Sequence, residues 1–250
     1  MAIPAILEKW RFKNEWGVSD EDLYEMAFDK IWSKNDKPTL SVLLTMSNHG
    51  PFEVTKEFEK SHPEIKDKKE LAFLYSDYAL GKFLDKCSEY PEYKNTIFLI
   101  VADHGEIYDD SDWGVKRFHI PALLLNCPDS LKTFSKTCSQ IDFAPTILYE
   151  LGYNNSFHCI GQNLFAKDYL PIAFFRDYGT GITFCKDSIA MRFDVRDNKP
   201  EYFYMDKTKH KIEASNLSDS LKSEMKKFSE NYLQTISFIY RHGRYRFGYK

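Results

Sequence analysis

Three runs of this sequence are almost continuously apolar and rich in strand-forming residues: Thr39–Met46 (TLSVLLTM), Asn95–Ala102 (NTIFLIVA) and His119–Asn126 (HIPALLLN). A strand with one solvated face alternates apolar and polar side chains, so an unbroken run suits a strand covered on both faces. Between these runs the apolar spacing changes to that of helices. Ser19–Trp32 opens on SDED, with Ser19 placed to cap and Asp22 at the third position, and Leu23, Met26, Ala27 and Ile31 follow at helical intervals. Lys68–Cys87 spaces Leu71, Leu74, Tyr75, Tyr78 and Phe83 by three, four and five residues, and Ser139–Leu151 reads as a helix closed by Gly152. Strand and helix alternate, which predicts an α/β fold with a mostly parallel, mixed sheet and helices on both faces.

After about Asp168 the texture changes. Short runs at 172–176, 181–185, 189–193 and 201–205, separated by Gly, Asp, Asn and Pro, predict a small antiparallel appendage, followed by a helix from Leu217 to about Tyr240. The expected organisation is an α/β domain over 1–167 with an appendage and helix over 168–250 packed on the same domain. At 250 residues and 43% hydrophobic content the chain can bury a substantial core. A net charge of −3, with Lys and Arg interspersed among Asp and Glu, argues against nucleic acid as a partner. Five cysteines without a C-x-x-C pair say little about compartment. No segment approaches the roughly 20 apolar residues of a membrane span, so the chain by itself reads as soluble.

In an open α/β sheet, ligands bind beyond the carboxyl ends of the strands. Asp103, His104 and His49 fall at such ends. An adjacent carboxylate and imidazole suit a divalent ion such as Mn²⁺, Zn²⁺ or Mg²⁺, and Gly105 lets the backbone turn sharply beside them. A bare Asp-His-Gly also serves as an ordinary turn and helix cap, so the motif alone leaves both readings open.

Six blocks in order carry a more specific signal: Trp16–Asp22 (WGVSDED), Thr45–Phe52 (TMSNHGPF), Tyr75–Phe83 (YSDYALGKF), Phe98–Gly105 (FLIVADHG), Phe118–Leu125 (FHIPALLL) and Ser139–Leu148 (SQIDFAPTIL). Over residues 16–165 the sequence resembles lipoteichoic-acid-synthase-like phosphoglycerol transferases, grouped with the sulfatases in the alkaline phosphatase superfamily. The resemblance implies the C-terminal portion of an alkaline-phosphatase-like fold. It implies a divalent metal on Asp103 and His104, manganese foremost, with zinc, magnesium or calcium as alternatives. It implies substrate contact by His49, with His119 either a second imidazole at the site or a strand-starting residue. Asp142 and Asp77 read as buried, helix-positioning residues, and Thr45 and Ser47 as strand and loop residues. His62, His158, His210 and His242 read as solvated, and Arg176 and Tyr178 as loop residues needing no special role.

The departure from the family is equally informative. Its members carry an acidic metal ligand and a nucleophilic Thr, Ser or formylglycine far upstream of the W-G-V block, whereas only fifteen residues precede Trp16 here. The expectation is therefore a chain lacking its nucleophile, with no catalytic residue assigned. In the whole protein the implied substrate is a phospholipid head group, glycan, or phosphate or sulfate ester, handled outside the cytoplasmic membrane. Two other readings are a catalytically incomplete fragment binding metal or anion, and a complete phosphatase using Asp103, His104, His119 and Asp142.

Overall fold

The computed structural model describes residues 10–31, 37–105, 118–127, 133–155, 157–176, 181–194, 196, 199–205, 211–213 and 217–244. His210 and Tyr178, and the side chain of Arg176, lie outside the described residues. The chain divides into two compact units, Met1–Thr96 and Ile97–Lys250.

The first unit is helical. α1 (Asp20–Ile31) starts at Ser19, whose hydroxyl accepts from the Asp22 N–H at 3.2 Å. Asp22 does not close a reciprocal capping box; its carboxylate accepts from the Ser19 hydroxyl (2.7 Å) and from the Arg11 backbone and guanidinium (2.9 and 2.7 Å). α2 (Lys56–Ser61) is capped by Thr55, and α3 (Lys68–Ser88) by Asp67, whose carboxylate accepts from the N–H groups of Lys69 and Glu70. Leu71, Tyr75 and Phe83 turn inward on α3, while Leu74 and Tyr78 remain partly exposed. Tyr75 is fully buried against Phe58 and Leu71, each such side chain contributing about 1.5–3 kcal/mol. α1 packs on α3 through the Tyr24–Phe83 stack, and Glu21 accepts from Lys82 at 2.7 Å and from the Tyr75 hydroxyl at 3.1 Å.

The second unit holds two sheets. β1 (Phe98–Val101) pairs antiparallel with β2 (Ala122–Leu125), in the register Phe98↔Leu125 to Val101↔Ala122. A short 3₁₀ turn (Gln140–Asp142) leads into α4 (Phe143–Glu150), and Gly152 ends it at a left-handed φ of 71°. A five-stranded antiparallel meander follows: β3 (Ile172–Arg176), β4 (Gly181–Lys186), β5 (Ile189–Asp194), β6 (Pro200–Met205) and β7 (Lys211–Glu213). α5 (Asp219–Arg241), capped by the Ser218 hydroxyl, presents Leu221, Met225 and Leu233 to one face of this sheet, against Phe184 and Met191. The other face gathers Cys185, Ala190 and Phe203.

Two expectations are corrected. The expected mostly parallel sheet is not what the described residues form: both of their sheets are antiparallel. Nor is Thr39–Met46 a paired strand. It carries Leu40, Val42 and Leu44 at 86, 85 and 78% exposure and joins no ladder among the described residues. The physical reason is common to both: apolar strand propensity becomes a strand only where neighbouring chain supplies the ladder hydrogen bonds. Asp77 is also corrected, lying exposed on α3 rather than buried.

Candidate functional site

Asp103 and His104 follow β1 directly, where the chain leaves its ladder. The Asp103 Oδ1 accepts from the His104 backbone N–H at 2.8 Å, which points Oδ2 away from the backbone. His104 Nδ1 lies 2.7 Å from the Gly105 carbonyl. A carbonyl only accepts, so Nδ1 carries a proton, and in the neutral ring Nε2 keeps its lone pair. Nε2 and the Asp103 Oδ2 stand 3.7 Å apart, with both side chains more than half exposed. Two ligands each about 2.1 Å from one ion can be at most about 4.2 Å apart, so this pair fits a shared divalent cation. Among the described residues no group of three His, Cys, Asp or Glu side chains clusters to hold a metal.

His119, just before β2, is exposed and lines the same cavity of about 760 Å³ as Asp103 and His104. Beneath the pair, the Gln140 side-chain amide donates to the carbonyls of Ala102 (2.9 Å) and Asp103 (3.0 Å). Gln140 is held in turn by the turn that Asp142 organises. Asp142, 2% exposed, accepts from the N–H groups of Ser139 and Gln162 (2.9 and 2.8 Å) and from the Tyr169 hydroxyl (3.1 Å). Burial, and then the Asp142 charge, push the Tyr169 phenol well above its usual range, which keeps it a hydrogen-bond donor. Asp142 is thus a buried structural carboxylate, which removes it from the metal set of the complete-phosphatase reading. Gly161 completes the support: a Cβ there would lie 1.9 Å from the Ile141 carbonyl oxygen.

His49 belongs to the first unit. Its Nδ1 donates to the Gly50 carbonyl at 2.7 Å, leaving Nε2 free of that bond, and its ring packs on Trp16 with centroids 3.9 Å apart. Thr45 is exposed and Ser47 is buried, its hydroxyl accepting from the Asp20 N–H. His158 and His242 are exposed, the latter against Phe238, as solvated residues would be. Gln140, Gly161, Asp20 and Trp16 were not read as site residues from the sequence; Trp16 and Asp20 lie in the WGVSDED block and Gln140 in the SQID block, which gave a place but no role.

None of the five cysteines is in a disulfide, and burial pushes the Cys87 thiol up to about 11, making it an inert core residue. No helix among the described residues is long and apolar enough to cross a membrane.

The sulfatase family model matches residues 5–153, more than half of the chain. The chain is 25% identical over 196 residues to the "Lipoteichoic acid synthase-like YvgJ" of Bacillus subtilis (strain 168), covering 67% of this chain and 31% of that protein. It is 24% identical over 245 residues to the "Lipoteichoic acid synthase" of Staphylococcus saprophyticus, covering 86% and 37%. It therefore spans about a third of the length of these relatives. A crystal structure of a protein in the alkaline phosphatase superfamily from Vibrio parahaemolyticus matches with a TM-score of 0.78 at 27% identity, over 95% of this chain and 58% of that one. The fold is thus alkaline-phosphatase-like α/β, and the chain belongs to the sulfatase family of the alkaline phosphatase superfamily, in its lipoteichoic-acid-synthase-like branch.

Proposed function

We propose that this chain is the metal-binding portion of a metal-dependent transferase or hydrolase of phosphoglycerol or related phospho- or sulfo-esters. Asp103 and His104 are its protein ligands to a divalent cation, manganese foremost, and His49 and His119 contact the ester's phosphate or sulfate. The observation that carries the reading is the His104 tautomer. With Nδ1–H given to the Gly105 carbonyl, Nε2 presents a lone pair 3.7 Å from a carboxylate oxygen, and that second-neighbour bond is the kind that orients metal-ligating histidines.

A divalent cation supplies Lewis acidity toward the oxygens of such an ester. Asp103 offers Oδ2, because Oδ1 is engaged by the His104 N–H, and Gln140 holds the peptide that carries both ligands. His119, on the rim of the same cavity, can donate a ring N–H to an ester oxygen. No nucleophile is assigned. In this reading 168–250 is an appendage of a 1–167 domain. The whole protein acts outside the cytoplasmic membrane on a phospholipid head group, glycan or ester, which the names of the relatives support.

Calorimetric titration with Mn²⁺ tests the site. His104→Ala is expected to abolish binding and His158→Ala to leave it intact; equal binding by both variants would contradict the assignment. A second reading, metal or anion binding without turnover, is favoured by the pair's lack of a third clustered ligand among the described residues. It predicts Mn²⁺ binding with no hydrolysis of p-nitrophenyl phosphate by this chain.

A further inference from the structure

The loop that bears His49 is held from an unexpected direction. Asp20, the first residue of α1, is 1% exposed, yet among the described residues its carboxylate forms no ion pair. Its Oδ1 accepts from the backbone N–H groups of Met46 (3.1 Å) and Ser47 (3.0 Å), and its Oδ2 accepts from the Ser76 hydroxyl of α3 (3.0 Å). The link is reciprocal, since the Asp20 N–H donates to the buried Ser47 hydroxyl at 3.4 Å. A buried carboxylate is costly unless its oxygens are satisfied. Here three donors and the N-terminal end of the α1 dipole supply what water would.

What these bonds fix is the turn. The Met46 carbonyl accepts from the His49 N–H at 2.9 Å, and the His49 carbonyl accepts from the Phe52 N–H at 2.9 Å, so a shift at 46–47 carries His49 with it. On the other side, Asn14 accepts from the N–H groups of Trp16 (2.8 Å) and Gly17 (3.3 Å) and sets the indole beneath the His49 ring.

We infer that Asp20 is a positioning residue for His49: it acts through the 46–49 turn to hold the ring against Trp16 with Nε2 open, so that the Nε2–H of the imidazolium can donate to an anionic ligand. The inference rests on the reading of His49 as a substrate contact only for the purpose of the pose; the pose itself is a separate observable. Histidine labelled with ¹³C at Cε1 reports it, because the Trp16 ring current displaces the His49 resonance, assigned with His49→Gln. In Asp20→Ala the resonance is expected to move to where Trp16→Ala puts it, with far-UV circular dichroism unchanged and the Kd for inorganic phosphate raised about tenfold. Asp20→Asn, which keeps an oxygen for Met46 and Ser47, is expected to restore both. A folded Asp20→Ala chain with the His49 resonance unmoved would overturn the inference. Should Asp20→Ala fail to fold, Asp20→Glu decides: a displaced resonance supports the brace and an unmoved one overturns it. If the wild-type His49 resonance ignores phosphate while Asp20→Ala still moves it, the substrate role of His49 fails and the positioning role stands.

Discussion

Besides the His242-Gly243 pair that ends α5, the chain has two His-Gly turns that differ in the residue just before them, Asn48-His49-Gly50 and Asp103-His104-Gly105. In each, Nδ1 donates to the following glycine carbonyl at 2.7 Å, so each presents Nε2 as its free ring nitrogen. The neighbours then diverge. His104 has a carboxylate oxygen at 3.7 Å, whereas the Asn48 side-chain oxygen lies 3.0 Å from the Ser76 hydroxyl, whose single proton it shares with Asp20, and His49 packs on an indole. The supports diverge as well: an exposed amide, Gln140, steadies the carbonyls at 102–103 beside His104, and a buried carboxylate, Asp20, grips the amides at 46–47 beside His49. In the proposed roles, His104 offers the Nε2 lone pair of its neutral ring to a cation beside the Asp103 carboxylate, whereas His49 meets an anion as the imidazolium, through Nε2–H.

The largest expected effect separates the turns outright: His104→Ala loses detectable Mn²⁺ binding by calorimetry, and His49→Ala keeps it within about twofold. Next comes Gly161→Ala. Its Cβ has no room beside the Ile141 carbonyl, so the 140–142 turn must move, costing about 3 kcal/mol in urea unfolding and weakening Mn²⁺ binding together. Gln140→Met should raise the Kd for Mn²⁺ about tenfold with little change in Tm, because the residue is exposed and acts only on the turn. Asn48→Asp makes the first turn Asp-His-Gly in sequence. Its new carboxylate would face the Ser76 hydroxyl that Asp20 already uses, so any Mn²⁺ site it gains should be at least about tenfold weaker than the native one.

How much of this was legible in sequence depends on the range of the interactions. Helix starts are local, and Ser19, Asp67 and Ser218 act within three residues, as capping requires. Four of the five short strands of the meander were legible from their own apolar runs, while the three-residue β7 was not. The run at 39–46 was not, because its fate depends on partners that no local pattern reveals. At the site, Asp103, His104 and His49 stand out by type and spacing. Gln140, 37 residues from Asp103, and Asp20, 27 residues from Ser47, act through backbone groups and leave no compositional trace.

The smallest expected effect concerns the core of the first unit. Burial pushes the Cys87 thiol up to about 11 and the Tyr24 phenol, helped by the Asp20 charge, up to about 12. Unfolded, these groups titrate near about 8.5 and about 10. The folded state therefore keeps protons that the unfolded chain gives up, so this stability is full below about pH 8.5 and is lost as pH rises toward the folded values. The urea midpoint should fall between about pH 8 and about pH 10.5, and Cys87→Ala should fall less than the wild type.

The central claim is that His104 is a metal ligand through Nε2 because Nδ1 is committed to Gly105. Nitrogen-15 NMR of the labelled histidines, with and without diamagnetic Zn²⁺, tests it most directly. The account predicts a protonated Nδ1 in the free protein and a metal-dependent shift of the His104 Nε2 resonance, with His49 unchanged. A His104 ring protonated at Nε2 instead, or a Zn²⁺ response at other histidines with His104 silent, would contradict it.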